Sequence, residues 1–242
     1  MPLYRDEAIV LRTHKLGEAD RIITLLTRQH GRVRAVAKGV RRTTSKFGSR
    51  LEPFTYVDLQ LAEGRSLDTI TQAETRTPFS GGLGNDYERY TAGTAMLETA
   101  DRLVPEERQP AVQQFLLLVG GLRAMTAGEH RPSQVLDSYL LRSLSVAGYA
   151  PSFDVCAHCV RPGPHRWFNP SMGGMLCTTC RVPGSASPAA ETIVVLGALL
   201  AGDWPVVEAA DARHLKEAST LVAAFLAWHL ERSLRSLEYV ER

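Results

Sequence analysis

All four cysteines of this 242-residue chain fall in two short knuckles, Cys156-Ala-His-Cys159 and Cys177-Thr-Thr-Cys180, separated by 17 residues. A tight C-x2-C turn brings two thiolates to one side of a backbone loop. Two such turns complete a tetrahedral sulfur cage about 2.3 Å from a zinc ion. The surrounding stretch, residues 153–186, is rich in Pro and Gly and has no helical or strand period. It holds too few periodic apolar residues to bury a core of its own. Metal ligation, worth on the order of 10–16 kcal/mol in small zinc peptides, can fold such a segment instead. Four free or disulfide-paired thiols are the alternative.

The chemistry expected of this cage is structural. A catalytic zinc keeps an open position, and four thiolates close the shell. The deaminase pattern needs H-x-E before P-C-x-x-C, but Cys177 follows Leu176, and neither His158 nor His165 is followed by that Glu. Either histidine has the donor chemistry to ligate, but both read as exposed loop residues. One zinc per chain is expected.

The first 80 residues read as β. The runs EAIVLRT, RIITLLT, RVRAVAKG, FTYVDLQLA and SLDTITQAET are rich in Val, Ile, Thr and aromatics, with HKLGEAD, RQHG and EGR as turns between them. In the fourth run Val57, Leu59 and Leu61 face one way and Tyr56, Asp58 and Gln60 the other. Five short strands in this length suit a small closed barrel, for which the OB-fold is the common five-stranded solution. An SH3-like barrel fits the same pattern.

PFSGGLGND, residues 78–86, marks a boundary, and the period then becomes helical. Val112, Phe115, Leu116, Val119 and Leu122 make one stripe, and Leu136, Tyr139, Leu140, Leu144 and Ala147 a second. Val222, Leu226, Leu230, Leu234 and Leu237 make a third. The fold class expected is α+β, with an N-terminal five-stranded OB-fold barrel (1–80) followed by an all-helical domain (81–152 and 187–242). A four-cysteine zinc-knuckle insert (153–186) interrupts the helices.

Charge is distributed unevenly. The net charge is +2, yet residues 1–50 hold 12 Lys or Arg against 4 Asp or Glu, and the remaining residues hold 16 against 22. Eight of the basic residues lie between Arg28 and Arg50, a span with no acid at all. If RVRAVAKG is a strand, alternation puts Arg32, Arg34 and Lys38 on one face and Val33, Ala35 and Ala37 on the other. That basic face runs into a Gly/Ser/Thr-rich loop carrying Arg41, Arg42, Lys46 and Arg50. A strand face continued by a basic loop is how OB-type modules track a nucleic-acid backbone. These seven residues are the expected DNA contacts, with Phe47 as a base-stacking candidate and Phe54 and Tyr56 as weaker ones. The alternative is a solvated basic face and, for the aromatics, core packing. No major-groove reading helix is evident, so binding indifferent to sequence is expected.

No GxxxxGK[ST], GxSxG or HExxH motif occurs, and SGGLGND reads as a linker, so the chain is not expected to be an enzyme. Glu18 and Asp20 in GEAD are explained by a turn. Arg5, Asp6 and Glu7 occupy the place of an apolar signal core, and TIVVLGALLAG is too short to cross a bilayer. A cytoplasmic protein without a membrane span is expected, with its cysteines in a reducing setting that favours metal over disulfide.

In order and spacing these segments resemble the RecO family of bacterial recombination mediators. GEAD, AKGVRR and LEPF within residues 8–61 look like its opening barrel. LLRSLSVAGYAPSFDVCAHC and FNPSMGGMLCTTC are similar to its zinc-knuckle region, and all four cysteines place the chain with the zinc-carrying members. The resemblance implies binding of single- and double-stranded DNA and annealing of complementary strands. It also implies action with RecR to load RecA onto DNA coated by single-strand DNA-binding protein, on the nucleoid. It further implies a pocket for that protein's acidic, apolar-ended C-terminal tail, for which Arg123, Arg131 and Arg142 are the available cations. A zinc-ribbon RNA- or transcription-associated binding module without annealing activity, and a zinc hydrolase acting on nucleic acid, are the rival readings.

Overall fold

The computed structural model describes residues 2–230 and 234–241. They divide into two compact units, Met1–Glu129 and His130–Arg242.

In the first unit the five expected strands are β1 (Leu3–Leu16), β2 (Asp20–Thr27), β3 (Gly31–Ala37), β4 (Thr55–Ala62) and β5 (Asp68–Pro78). They close into a barrel in the order β1-β2-β3-β5-β4. Closure depends on the length of β1. Its first half pairs β4 from Leu3↔Ala62 to Ile9↔Tyr56, and its second half pairs β2 as far as Leu16↔Asp20. The register shift between Val10 and Arg12 supplies the bend between the two halves. The seam between β3 and β5 is parallel and only two residues long, Ala35↔Asp68 and Val36↔Thr69. Alternation fills the interior with Val33, Ala35 and Ala37 from β3 and Val57, Leu59 and Leu61 from β4, all buried. This is the five-stranded OB arrangement.

Three helices complete this unit: α1 (Ser80–Leu83), α2 (Tyr87–Leu103) and α3 (Val112–Ala127). Asp86 starts α2 by accepting the Arg89 N–H at 3.1 Å. Phe54 sits against Gly93 of α2, where an added Cβ would come within 3.1 Å of its ring. Tyr56, on the outer face of β4, is covered by Phe115 of α3. The α3 stripe is rotated from expectation. Phe115, Leu118, Val119, Leu122 and Met125 are buried, while Val112 and Leu116 are exposed.

The second unit packs α4 (Pro132–Val146), α5 (Ala190–Ala201), α6 (Trp204–Ala209) and α7 (Ala212–His229). Leu136, Tyr139, Leu140 and Leu144 of α4 are buried as expected. The third stripe is one helix only as far as His229. Val222 and Leu226 lie in its core, whereas Leu234 and Leu237 belong to a region with a separate 3-10 turn, Arg235–Tyr239. The insert is also more regular than its composition suggests. A hairpin of β6 (Trp167–Asn169) and β7 (Gly174–Leu176) sets Phe168 between Phe153 and Phe225 of α7. No helix among the described residues is long and apolar enough to cross a membrane.

Candidate nucleic-acid interface and metal centre

The eight cations between Arg28 and Arg50 separate into two sets at the two ends of β3. At its start, three are bound to the protein's own carboxylates. Arg28 pairs with Glu7 at 3.2 Å. Arg32 Nε lies 2.7 Å from Asp101 Oδ1 at the end of α2, and its guanidinium donates to the Pro105 carbonyl at 3.0 Å. Arg34 pairs with Glu107. The segment between α2 and α3 lies along this strand, with Arg32↔Glu107 as a parallel bridge and the Arg108 N–H donating to the Arg32 carbonyl at 2.9 Å. Gly31 is required here, because an added Cβ would lie 1.7 Å from the Gln109 carbonyl oxygen. Arg108 then reaches across to Asp68 and Glu63, at 2.5 Å and 2.8 Å, so the segment fills the short β3–β5 seam. Arg32 and Arg34, expected on an open basic face, are on that face but neutralised and partly covered.

At the other end of β3 the picture is different. Lys38, Arg41, Arg42, Lys46 and Arg50 are all exposed, and among the described residues none forms an ion pair with a carboxylate. Their anchors are neutral carbonyls. Arg41 donates to the carbonyls of Gly17 and Glu18 at 3.3 Å and 2.8 Å. Lys46 donates to the Thr71 carbonyl and Arg50 to that of Lys46, at 2.8 Å and 2.7 Å. Carbonyls orient the groups without cancelling their charge. The β1–β2 turn is drawn in as well, since the Arg41 N–H donates to the Ala19 carbonyl and Asp20 accepts the Gly39 N–H at 2.7 Å. That is the modest role of Asp20 in the GEAD turn. Exposed Lys15, across the hairpin from Arg21, joins this end of the barrel. It escaped the sequence reading because it precedes the acid-free run, although the pairing of the HKLGEADR hairpin signalled it.

Phe47 is not a stacking platform. It is 2% exposed and closes one mouth of the barrel together with Val40 and Leu51. The 3-10 turn Gly48–Leu51 folds the loop back so that its two large apolar residues plug the core while its cations stay in water. Phe54 and Tyr56 are buried also, and the Tyr56 hydroxyl donates to Glu7 at 2.7 Å.

The four cysteines converge, with their sulfur atoms all within 4.8 Å of one another. Cys156 and Cys177 are buried, Cys180 half-buried and Cys159 exposed. A tetrahedron with 2.3 Å metal–sulfur bonds has edges of about 3.8 Å, and Cys159 Sγ to Cys177 Sγ is 3.8 Å. The Cys177 N–H donates to Cys156 Sγ at 3.4 Å. Burial acts to raise the Cys156 thiol, but such backbone donors outweigh it and bring it down to about 5. Crowding by the other sulfurs pushes Cys180 up to about 12. Four sulfur donors within 4.8 Å of one another, one edge at the 3.8 Å of a tetrahedral cage, are a set that could hold a metal ion. His158 Nδ1 is 3.6 Å from Cys180 Sγ, outside the cage, and His165 is turned to the Arg161 carbonyl at 2.8 Å.

Two family models cover the chain: Recombination protein O N terminal over residues 1–79, and Recombination protein O C terminal over residues 84–238. The chain belongs to the RecO family. Similarity runs end to end. It is 83% identical to the DNA repair protein RecO of a Nocardioides strain over 243 aligned residues, covering 99% of this chain and all of the relative. The RecO proteins of Streptomyces griseus and Thermobifida fusca are 61% and 59% identical, with both chains covered completely in each comparison. The RecO models meet near residue 80, where the barrel ends, whereas the compact units divide after Glu129 because α2 and α3 pack on the barrel.

Of the three arginines considered for a partner's tail, Arg131 lines a cavity of about 240 Å³. Lys216, Asp137, Leu199, Leu215 and Ser219 line it too. Arg142 is exposed on α4, near Gly202 at the end of α5. Arg123 is exposed on α3 in the other unit.

Proposed function

We propose that this chain is a non-enzymatic DNA-repair mediator that binds single- and double-stranded DNA and anneals complementary strands. With RecR, it helps load RecA on DNA coated by single-strand DNA-binding protein during recombinational repair in the cytoplasm. The reading rests on one observation above the rest: Lys38, Arg41, Arg42, Lys46 and Arg50 stand exposed at one end of the barrel with their charge uncancelled. Two anionic strands repel each other, and a surface that neutralises phosphates without gripping bases lowers that repulsion. Base pairing then drives annealing, and no active site is needed.

In this reading residues 1–80 grip DNA, and the helices of 81–152 and 187–242 meet protein partners. The insert, 153–186, is braced by one structural zinc on Cys156, Cys159, Cys177 and Cys180. The cavity beside Arg131 and Lys216 takes the acidic, apolar-ended tail of the single-strand binding protein, its apolar end against Leu199 and Leu215. Arg123 and Arg142 lie outside that lining and drop to secondary candidates. The deciding experiment follows annealing of complementary oligonucleotides, bare and coated, by wild type and by Arg41→Glu/Arg42→Glu. Wild type accelerates pairing and the double reversal loses most of that acceleration. A wild type that binds a strand without hastening pairing is a simple binding module and overturns the proposal.

A further inference from the structure

Arg32 and Arg34 are both neutralised, but not equally. Arg32 and Asp101 keep only 16% and 14% of their side-chain surface, whereas Arg34 and Glu107 keep 43% and 31%. The first pair is enclosed and tied further by the Pro105 carbonyl; the second lies open to solvent. A carboxylate and a phosphodiester offer a guanidinium the same paired oxygens. Arg34 is on the outer face of β3 four residues before Lys38, so about 13 Å of strand connects it to the exposed cations. Arg12 shares its row across the sheet, through Arg12↔Thr24 and Thr24↔Arg34, and is itself paired with Asp101 at 3.2 Å.

We infer that Glu107 is a built-in surrogate for phosphate, which a nucleic-acid backbone displaces from Arg34 when it extends along β3 from the basic loop. The inference rests on the proposed DNA-binding role and deepens it. Exchange of one anion for another makes Arg34 a weak contact in the wild type. The consequence is an affinity held down so that the annealed product can leave. Arg32, only 4.0 Å from Glu107 but held closer by Asp101 at 2.7 Å and enclosed, takes no part.

The test is a two-by-two set of full-length proteins: wild type, Glu107→Gln, Arg34→Gln and the double variant. Each is titrated with a fluorescent single-stranded oligonucleotide of about 20 nucleotides at several salt concentrations. Glu107→Gln frees Arg34, so affinity rises about 3- to 10-fold at about 0.1 M salt and the log–log salt slope steepens by roughly 0.7, one more phosphate. Arg34→Gln alone changes affinity less than about twofold, and the double variant loses the gain. Backbone contacts hold the segment whatever residue 107 is, through the Arg108 N–H on the Arg32 carbonyl. Thermal melting checks this directly, and Glu107→Ala gives an independent second variant. A gain that survives without Arg34 is long-range charge and overturns the inference, as does no gain or a loss in both Glu107 variants. A wild type without salt-dependent binding instead brings down the DNA-binding role itself, so the two failures are distinct.

Discussion

Cys159 and Cys177 belong to different knuckles, yet their sulfur atoms are 3.8 Å apart, the edge length of a thiolate tetrahedron around zinc. Each knuckle contributes two of the four sulfurs, so a four-thiolate site would need both. Metal analysis of freshly purified, reduced protein is expected to find one zinc per chain. Cys156→Ser or Cys177→Ser removes a buried thiol of the four and is expected to abolish zinc retention and loosen the β6–β7 hairpin. Protease nicking between residues 153 and 186 and a red shift of Trp167 fluorescence would report it. Soluble, reduced protein without any bound metal would contradict the structural role.

Phe47 carries the second prediction. Because it plugs the barrel with Leu51 and Val40, Phe47→Ala is expected to cost about 3–5 kcal/mol of stability. DNA affinity per folded molecule stays within about twofold at a temperature where the variant remains folded. A base-stacking residue would behave in the opposite way, with melting little changed and affinity reduced.

The sequence makes some of these features plain and hides others for a physical reason. The cysteine spacing and the alternation of Val33, Ala35 and Ala37 are local, and both are found as expected. Alternation also places Arg32 and Arg34 outward, but it cannot reveal that Asp101 and Glu107, some 70 residues later, come to lie against them. Phe47 misleads for the same reason, since a loop of Gly, Ser, Thr and cations gives no local sign that its one aromatic closes a barrel mouth. On α3 Phe115, Val119 and Leu122 keep their expected burial but Val112 and Leu116 turn to solvent, because the barrel surface, including Tyr56, decides which face is covered.

The two ends of β3 therefore give different mutant phenotypes. Arg41→Glu/Arg42→Glu is expected to weaken single-strand binding by more than tenfold at about 0.1 M salt. The salt slope moves from about −3.5, for five neutralised phosphates, toward about −2.1. Melting temperature should hardly change, because both side chains are exposed. Arg32→Gln should do the reverse, leaving binding nearly intact while costing about 1–3 kcal/mol, since it removes the nearer of the two guanidiniums on the enclosed Asp101 carboxylate and leaves only Arg12 at 3.2 Å. Equal effects of the two variants on binding would show the whole strand face to be a DNA surface.

Acid sensitivity is expected to trace in part to Glu7, which joins β1 to its neighbours. Burial acts to raise its carboxyl, but the Tyr56 hydroxyl and the Arg28 and Arg76 guanidiniums outweigh it and hold it below the usual range. A carboxyl lowered in the folded state stabilises the fold above its unfolded value of about 4.3, and that contribution fades as pH falls through the folded value. Tyr56→Phe removes the hydroxyl donor while keeping the ring on Phe115. The variant is expected to lose about 1 kcal/mol at neutral pH and, because its folded carboxyl lies closer to the unfolded value, to lose less on acidification and to finish that loss at a higher pH than wild type. Urea melts at pH 7, 5, 4 and 3 would measure both curves, and the gap between them should narrow toward the acid end, where Glu7 is protonated in both proteins. A gap that stays constant from pH 7 to 3 would assign the cost of the substitution to packing instead of to the Glu7 charge.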